Sequence, residues 1–184
     1  GKAEWIKFTG ALTDKLDESV VVFNTIETNY LNAAALAKTA EKKPTVLCGT
    51  TFKEIWNTPN GESWAAKFLN DANADYLWKD TKGTGSLKLN IESVLEKAQH
   101  AYFWITPSLA QTKDELLSSN IHYQQFDAFK NNNIYLANKL GPKGGILFYE
   151  LAPSQPDVIL KDLIKILHPE LLPGHELFFY TKLE

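Results

Sequence analysis

From Trp5 to Ala37, apolar residues recur at steps of three or four positions, which is the spacing of one face of an α-helix. Thr9-Gly10 and the polar stretch 13–17 interrupt this pattern, so we predict two helices, the second beginning near Asp17. Pro44 follows, and the residue before a proline disfavours helical backbone. The chain therefore begins with a helical arm that ends before Pro44.

Beyond Pro44, short apolar runs alternate with amphipathic stretches. Strands are predicted at 45–49, 75–78, 101–106 and 133–137, and residues 178–181 are either a terminal strand or a tail. Helices are predicted at 60–70, 91–98, 113–119, 123–129 and 157–168, with Asn90 as the cap of the second. Residues 50–59, 80–87 and 141–145 are predicted to be loops. This alternation predicts an α/β fold, a single lobe whose central, mostly parallel sheet is flanked by helices.

The composition narrows the possible functions. A chain of 184 residues with 44% hydrophobic content is long enough for one domain with a real core. All nineteen cations are lysines, which argues against specific nucleic-acid readout and against bidentate carboxylate clamps, because both favour arginine. No apolar run is long enough to span a membrane, and no secretory signal opens the chain. Because the chain begins at Gly1 and lacks Met, we interpret it as a processed or excised piece.

Motifs for catalysis, metals and cofactors are weak. Cys48 is the only cysteine and lies in an apolar run, which favours a buried thiol without a chemical role. The glycines near 83–85 and 141–145 complete neither a dinucleotide fingerprint nor a phosphate-binding loop. The histidines and glutamates between His168 and Glu176 lie in a tail broken by two prolines and a glycine, a poor frame for a metal. We therefore predict no cofactor, no metal and no catalytic residues.

Several residues are candidates for a binding site. Phe52 and Trp56 follow a predicted strand, and the ends of strands in open α/β sheets are where ligands bind. Each aromatic side chain could instead cover the local core, and the same two interpretations apply to Phe148 and Tyr149. Lys143 lies in the loop 141–145, which faces either solvent or a ligand.

One family resemblance extends from Trp5 to Glu184. The chain resembles the C-terminal half of the periplasmic substrate-binding proteins that serve ABC importers of iron–siderophores, haem and cobalamin, most of all a branch common in Bacteroidetes. The segments that carry the likeness are EWIKFTGAL, FNTIETNYLNAAALA, KKPTVLCGTTFKEIW, PNGESWAAKFLNDANADYLW, GSLKLNIESVLEKAQHAYFWI, FDAFKNNNIYLAN and PDVILKDLIKILHPELLPGHELFFYTKL.

The resemblance implies an organisation of two α/β lobes joined by a long spine helix, with the ligand held between them. Residues 1–16 would be the end of that spine and residues 17–184 the C-terminal lobe, the N-terminal lobe being absent. The implied protein is a periplasmic, lipid-anchored monomer and not an enzyme. Its partners would be an iron chelate or corrinoid and the permease of an ABC transporter.

The resemblance also assigns roles to single residues. It implies that Trp56, with Phe52, Tyr149 and Lys143, contacts the ligand. Glu92, in the first turn of a predicted helix, corresponds to the glutamate with which relatives dock onto the permease. Asn138-Lys139 stands where many relatives have an arginine, which argues against an anion clamp in this lobe.

Two other functions stay open at this point. One is a cofactor-binding α/β enzyme domain that has lost its partner domain, which a pocket lined by Cys48, His100 or His122 would favour. The other is a docking lobe without any ligand, which a cleft face lacking aromatic residues would favour.

Overall fold

The computed structural model describes residues Gly1–Glu184. Its α-helices are α1 Trp5–Leu12, α2 Leu16–Ala37, α3 Trp64–Asp71, α4 Ile91–Ala98, α5 Lys113–Ser119, α6 Asp127–Lys130, α7 Leu147–Leu151 and α8 Pro156–Leu167. Short 3-10 helices cover Lys2–Glu4 and Ile121–Gln125. The strands are β1 Thr45–Leu47, β2 Thr50–Phe52, β3 Ile55–Pro59, β4 Asp75–Tyr76, β5 Ser86–Leu89, β6 Phe103–Pro107, β7 Ile134–Ala137 and β8 Thr181–Lys182.

A five-stranded sheet in the order β4-β1-β6-β7-β8 forms the centre of the fold. Its first four strands are parallel, and β8 joins the edge of β7 in the antiparallel direction. The central strands carry continuous apolar runs, as expected for parallel strands that are covered on both faces. The predicted α/β fold with a mostly parallel central sheet is therefore confirmed.

A second, antiparallel sheet in the order β2-β3-β5 was not predicted. Its strands lie within 50–59 and at 86–89, stretches that the sequence pattern assigned mainly to loops. Lys53 and Glu54 form the turn between β2 and β3 at positive φ values of 49° and 65°. Hairpin turns of this kind usually carry Asn-Gly, and the absence of that signal explains why the hairpin was missed.

Three local predictions also change. The helix expected at 123–129 is divided into the 3-10 helix Ile121–Gln125 and the short α6. Helix α7 lies in a stretch that had no helix prediction. Helix α3 begins at Trp64 instead of near residue 60, and Ser63 caps it by accepting a hydrogen bond from Ala66 N at 3.1 Å. Short helices of one or two turns leave little periodicity to detect.

The C-terminal tail is fixed by the carboxylate of Asp162. This buried side chain accepts hydrogen bonds from the backbone N–H groups of Phe178 and Phe179 and lies 2.7 Å from His175 Nε2. Nowhere in the chain do three or more His, Cys, Asp or Glu side chains gather closely enough to hold a metal ion. The histidines of the tail therefore have structural contacts.

The two N-terminal helices match their prediction closely. Helix α1 packs against α2, and α2 packs against α8. The side chains of Trp5, Phe8 and Leu12 share one face of α1 and are 68%, 56% and 71% exposed. None of the helices combines the length and apolar character needed to cross a membrane.

Candidate functional site

A cavity of about 390 Å³ opens at the carboxyl ends of β1 and β6. This is the edge where open parallel sheets bind ligands, and the volume lies in the range of small-molecule sites. The residues that line the cavity come from the ends of β1 and β6, from β3, from the start of β5, and from α3, α7 and α8. The elements of both sheets thus build one concave site.

Aromatic side chains form one wall of the cavity. Trp64, in the first turn of α3, stacks on Phe148 of α7 with ring centroids 5.8 Å apart and an interplanar angle of 23°. Phe68 meets Trp64 edge-on at 5.5 Å, and Tyr149 meets Phe148 edge-on at 5.7 Å. Trp64 and Tyr149 remain 45% and 63% exposed, so both present ring surface to a ligand.

The hydroxyl-bearing side chains of Thr58, Ser63 and Thr106 also line the cavity. Each already has a protein partner: Thr58 Oγ1 lies 2.8 Å from the Tyr76 hydroxyl, Ser63 caps α3, and Thr106 Oγ1 accepts from Gly49 N at 3.2 Å. No buried side-chain nitrogen or oxygen lacks a hydrogen-bond partner. These hydroxyl groups are therefore already held in place and need no hydrogen bond from a ligand.

Two indole groups hold the end of β1 beneath the cavity. Trp56 Nε1 donates to the carbonyl of Cys48 at 3.0 Å, and Trp104 Nε1 donates to the carbonyl of Gly49 at 2.9 Å. Gly49 has a φ of +95°, and a Cβ there would collide with the carbonyl oxygen of Asn57. Glycine is thus required at position 49, where the segment that follows β1 lies against Asn57 of β3.

Trp56 itself lies in the core, which corrects its predicted role as a ligand contact. Its side chain has no exposed surface and packs against the rings of Trp104, Tyr123 and Phe126 at 5.6–5.8 Å. The second sheet turns this residue inward, because Trp56 pairs with Leu89 of β5 and with Thr51 of β2. Trp56 supports the strand end beside the cavity and does not line the cavity.

The other predicted contacts are separated in space. Tyr149 lines the cavity, as the ligand-facing interpretation requires. Phe52 is 68% exposed at the tip of the β2–β3 hairpin, and Lys143 is exposed in the loop before α7; neither lines the cavity. Their proposed contact with a ligand therefore needs a ligand that extends beyond the cavity.

Glu92 lies apart from the cavity in the first turn of α4. The side chain of Asn90 caps this helix by accepting from Ser93 N at 2.8 Å, as predicted. Glu92 is exposed, and no salt bridge engages it. A carboxylate in this place suits the helix dipole and is free for a contact with another protein.

The lining of the cavity contains no Lys, Arg, His, Asp or Glu residue. Its only titratable side chains are Cys48, Tyr149 and Tyr180. Burial raises the pKa of the Cys48 thiol and of both phenols above their ordinary values, so all three stay protonated and neutral near pH 7. The cavity as a whole is uncharged.

The three residues that would favour an enzyme domain, Cys48, His100 and His122, do not meet in this cavity. Cys48 lines it, but a thiol with a raised pKa is a poor nucleophile. His100 is on the surface, where its Nδ1 lies 2.7 Å from Asp127 Oδ2, and the exposed His122 contacts Gln125. Neither histidine lines the cavity with Cys48.

Trp64 and Phe68 are the wall residues that the sequence did not single out as ligand contacts, whereas it offered Phe148 together with Tyr149. The spacing of Trp64 and Phe68 placed both on the inward face of α3. The available signal was the position of Trp64 directly after its cap, because a helix that follows a strand at this edge begins beside the site. Phe148 lay in a segment without a predicted helix.

The fold is an α/β lobe with an aromatic-walled cavity at the carboxyl edge of its parallel sheet. The sequence profile of the periplasmic binding protein family matches residues 2–140. The chain therefore belongs to the periplasmic binding protein family.

Among curated relatives, an uncharacterized lipoprotein of Methanocaldococcus jannaschii is 30% identical over 185 aligned positions, which include 99% of this chain and 42% of that protein. A second uncharacterized lipoprotein of that organism is 26% identical and is matched over 47% of its length. The chain thus spans about half the length of the curated relatives it matches.

Solved structures support the fold. The TroA-like periplasmic binding protein FepB from Veillonella parvula superposes with a TM-score of 0.75 at 15% identity, over 100% of this chain and 61% of that one. IsdE of Staphylococcus aureus, solved in complex with heme, superposes with a TM-score of 0.66 at 16% identity, over 91% of this chain and 64% of that one. The likeness to the Bacteroidetes branch stays a prediction.

Proposed function

We propose that this chain is the C-terminal lobe of the solute-binding component of an ABC importer, and that its ligand is an iron–siderophore, haem or cobalamin-like compound. The observation that carries the proposal is the aromatic-walled cavity at the carboxyl edge of the sheet, in a chain of the periplasmic binding protein family. Structures of similar fold include a heme complex and a possible iron-binding solute-binding protein, which supports a metal-chelate ligand.

In this proposal residues 1–16 are the end of a spine helix and residues 17–184 are the lobe. Helix α1 makes its main contacts with α2, and its face with Trp5, Phe8 and Leu12 stays open to solvent. Lys2 Nζ lies 5.3 Å from the centre of the Trp64 ring, so the chain enters beside the mouth of the cavity. A second lobe that precedes α1 would stand across the cavity, and the ligand would lie between the two.

Delivery requires contact with a permease, for which Glu92 is the proposed residue. An exposed carboxylate at a helix start suits a transient contact guided by charge. Glu92→Ala should lower ligand-dependent transport without changing ligand affinity. Glu96→Ala on the same helix is the matched control, since Glu96 is also exposed. Equal losses in both variants would argue against a specific role for Glu92.

We propose a periplasmic or equivalent extracytoplasmic location, with the lobe tethered by a lipid anchor that precedes it. The support is the family itself and two curated relatives that are named as lipoproteins. The proposed protein acts as a monomer and catalyses no reaction.

Titration with a panel of ferric siderophores, haem and cobalamin tests the function. The natural full-length protein should bind one member in a one-to-one complex, and the present chain should bind the same member more weakly because half of the cleft is missing. Failure of every member to bind the full-length protein would contradict the proposed ligand class. Equally tight binding by the present chain would contradict the two-lobe cleft.

A further inference from the structure

The cavity differs from the rest of the surface in its charge. The chain carries nineteen basic and twenty-two acidic residues, yet none of them is among the twenty-two residues that line the cavity. A patch without any ionised side chain is a poor environment for an ionised ligand group, because the lost hydration is not replaced. The lining therefore disfavours an ionised ligand group.

Lys2 is a cation in contact with a side chain of the lining. Its ammonium group stacks on the Trp64 ring, outside the lining. A lysine at an exposed position holds an anion only weakly, and it lacks the planar fork with which arginine clamps carboxylates. Lys139, the cation next to the end of β7, donates to the carbonyl of Leu177 at 2.5 Å and does not line the cavity.

We propose that this cavity is a specificity pocket for an uncharged, ring-bearing portion of the ligand, and that the lobe thereby disfavours anionic chelates. The inference rests on the proposed function and deepens it. The exposed faces of Trp64 and Tyr149 provide stacking surface, and Phe68 and Phe148 back them. The hydroxyl groups of Thr58, Ser63 and Thr106, which also line the cavity, are neutral and already have protein partners.

Two fluorescent probes with one ring system test the pocket without knowledge of the natural ligand. N-phenylnaphthylamine is neutral, and anilinonaphthalene sulfonate carries one negative charge on the same framework. We expect the present chain to bind the neutral probe about tenfold or more tightly than the anionic one. Equal affinities, tighter binding of the anion, or no binding of the neutral probe would overturn the proposal.

Two glycine variants show whether the probe occupies this cavity. Gly85 lines the cavity, and a Cβ there meets no atom within 4 Å, so Gly85→Trp can be introduced without a collision at its Cβ. Gly174 is equally open but lies outside the lining, so Gly174→Trp is the matched control. Gly85→Trp should weaken the neutral probe by about tenfold, and Gly174→Trp should leave it unchanged. Identical behaviour of the two variants would overturn the proposal.

A charge inserted at the rim should reverse the selectivity. Ser86 lines the cavity at the exposed start of β5. Ser86→Lys should improve binding of the anionic probe by about tenfold relative to the neutral one, and the uncharged Ser86→Gln should not. An unchanged ratio in Ser86→Lys would overturn the proposal. Because these probes are independent of the metal-chelate panel, one experiment can contradict the proposed pocket while the other still supports the proposed transport function, and the reverse.

Discussion

Single residues in the β2–β3 hairpin show how closely core and surface lie in this lobe. Phe52 and Trp56 are four positions apart, and the sequence offered both as ligand contacts. The structure leaves Phe52 exposed at the tip and buries Trp56 fully. Trp56 also donates its indole N–H to Cys48, so it stabilises the floor of the site through the backbone. Their functional difference comes from strand register, which a loop prediction cannot supply.

Trp56→Ala should lower the free energy of unfolding by about 3–5 kcal/mol, because it removes a large, fully buried ring. Phe52→Ala is the matched control and should change it by less than about 0.5 kcal/mol, since the ring is mostly exposed. Denaturant unfolding of both variants measures the difference. Similar losses would contradict the assignment of Trp56 to the core and Phe52 to the surface.

The carboxyl group of Asp127 gives a second prediction at this scale. A hydrogen bond with His100 at 2.7 Å, and a second from Lys130 at 3.0 Å, lower its pKa below the usual aspartate value. Since the folded pKa is the lower one, the associated stability is present above the unfolded pKa and is lost as pH falls through the folded value. Carbon-13 NMR titration should show the lowered pKa, and His100→Ala should raise it. A pKa that is unchanged by His100→Ala would contradict this pairing.

At the scale of elements, the turn between β2 and β3 is formed by residues that are uncommon in such turns. Lys53 and Glu54 both adopt the left-handed backbone that favours Asn and Gly. The hairpin is nevertheless formed, because β3 also pairs with β5 and buries Trp56 and Thr58. Tertiary packing therefore overrides an unfavourable local preference.

Replacement of Lys53-Glu54 by Asn-Gly should raise the free energy of unfolding by about 1 kcal/mol, because it relieves two strained residues. Thermal unfolding measures the effect as a higher midpoint. The reverse control is Gly49→Ala, which should destabilise the chain because its φ is +95° and its neighbours leave no space. A lower midpoint for the Asn-Gly variant would contradict the turn geometry.

The elements differ in how well the sequence predicts them. Helices α1, α2, α4 and α8 were predicted because each has a long apolar stripe or a clear cap. The parallel strands were predicted from their continuous apolar runs, whereas the second sheet was missed because its pairing depends on contacts distant in sequence. The site likewise has one feature that the local sequence pattern predicts and one that depends on contacts distant in sequence. Its place at the strand ends was predicted, but Trp64 and Phe148 come together only through the packing of α3 and α7.

At the scale of the whole molecule, the mouth of the cavity and the solvent-exposed apolar face of α1 both lie near the first residues of the chain. The cavity mouth adjoins Lys2, and the apolar face of α1 has no partner. The proposed counterpart lobe, preceding α1, would account for both features. In that proposal the uncharged lining leaves any charge on the ligand to the other lobe or to solvent.

Hydrogen–deuterium exchange of the natural full-length protein, with and without each member of the ferric-siderophore, haem and cobalamin panel, tests this account most directly. One member should slow exchange at the strand ends 48–50 and 105–107 and at α7, the segments that line the cavity. Exchange in α4, which carries the proposed permease contact Glu92, should stay unchanged. Protection confined to other segments, or no protection by any member, would contradict the account.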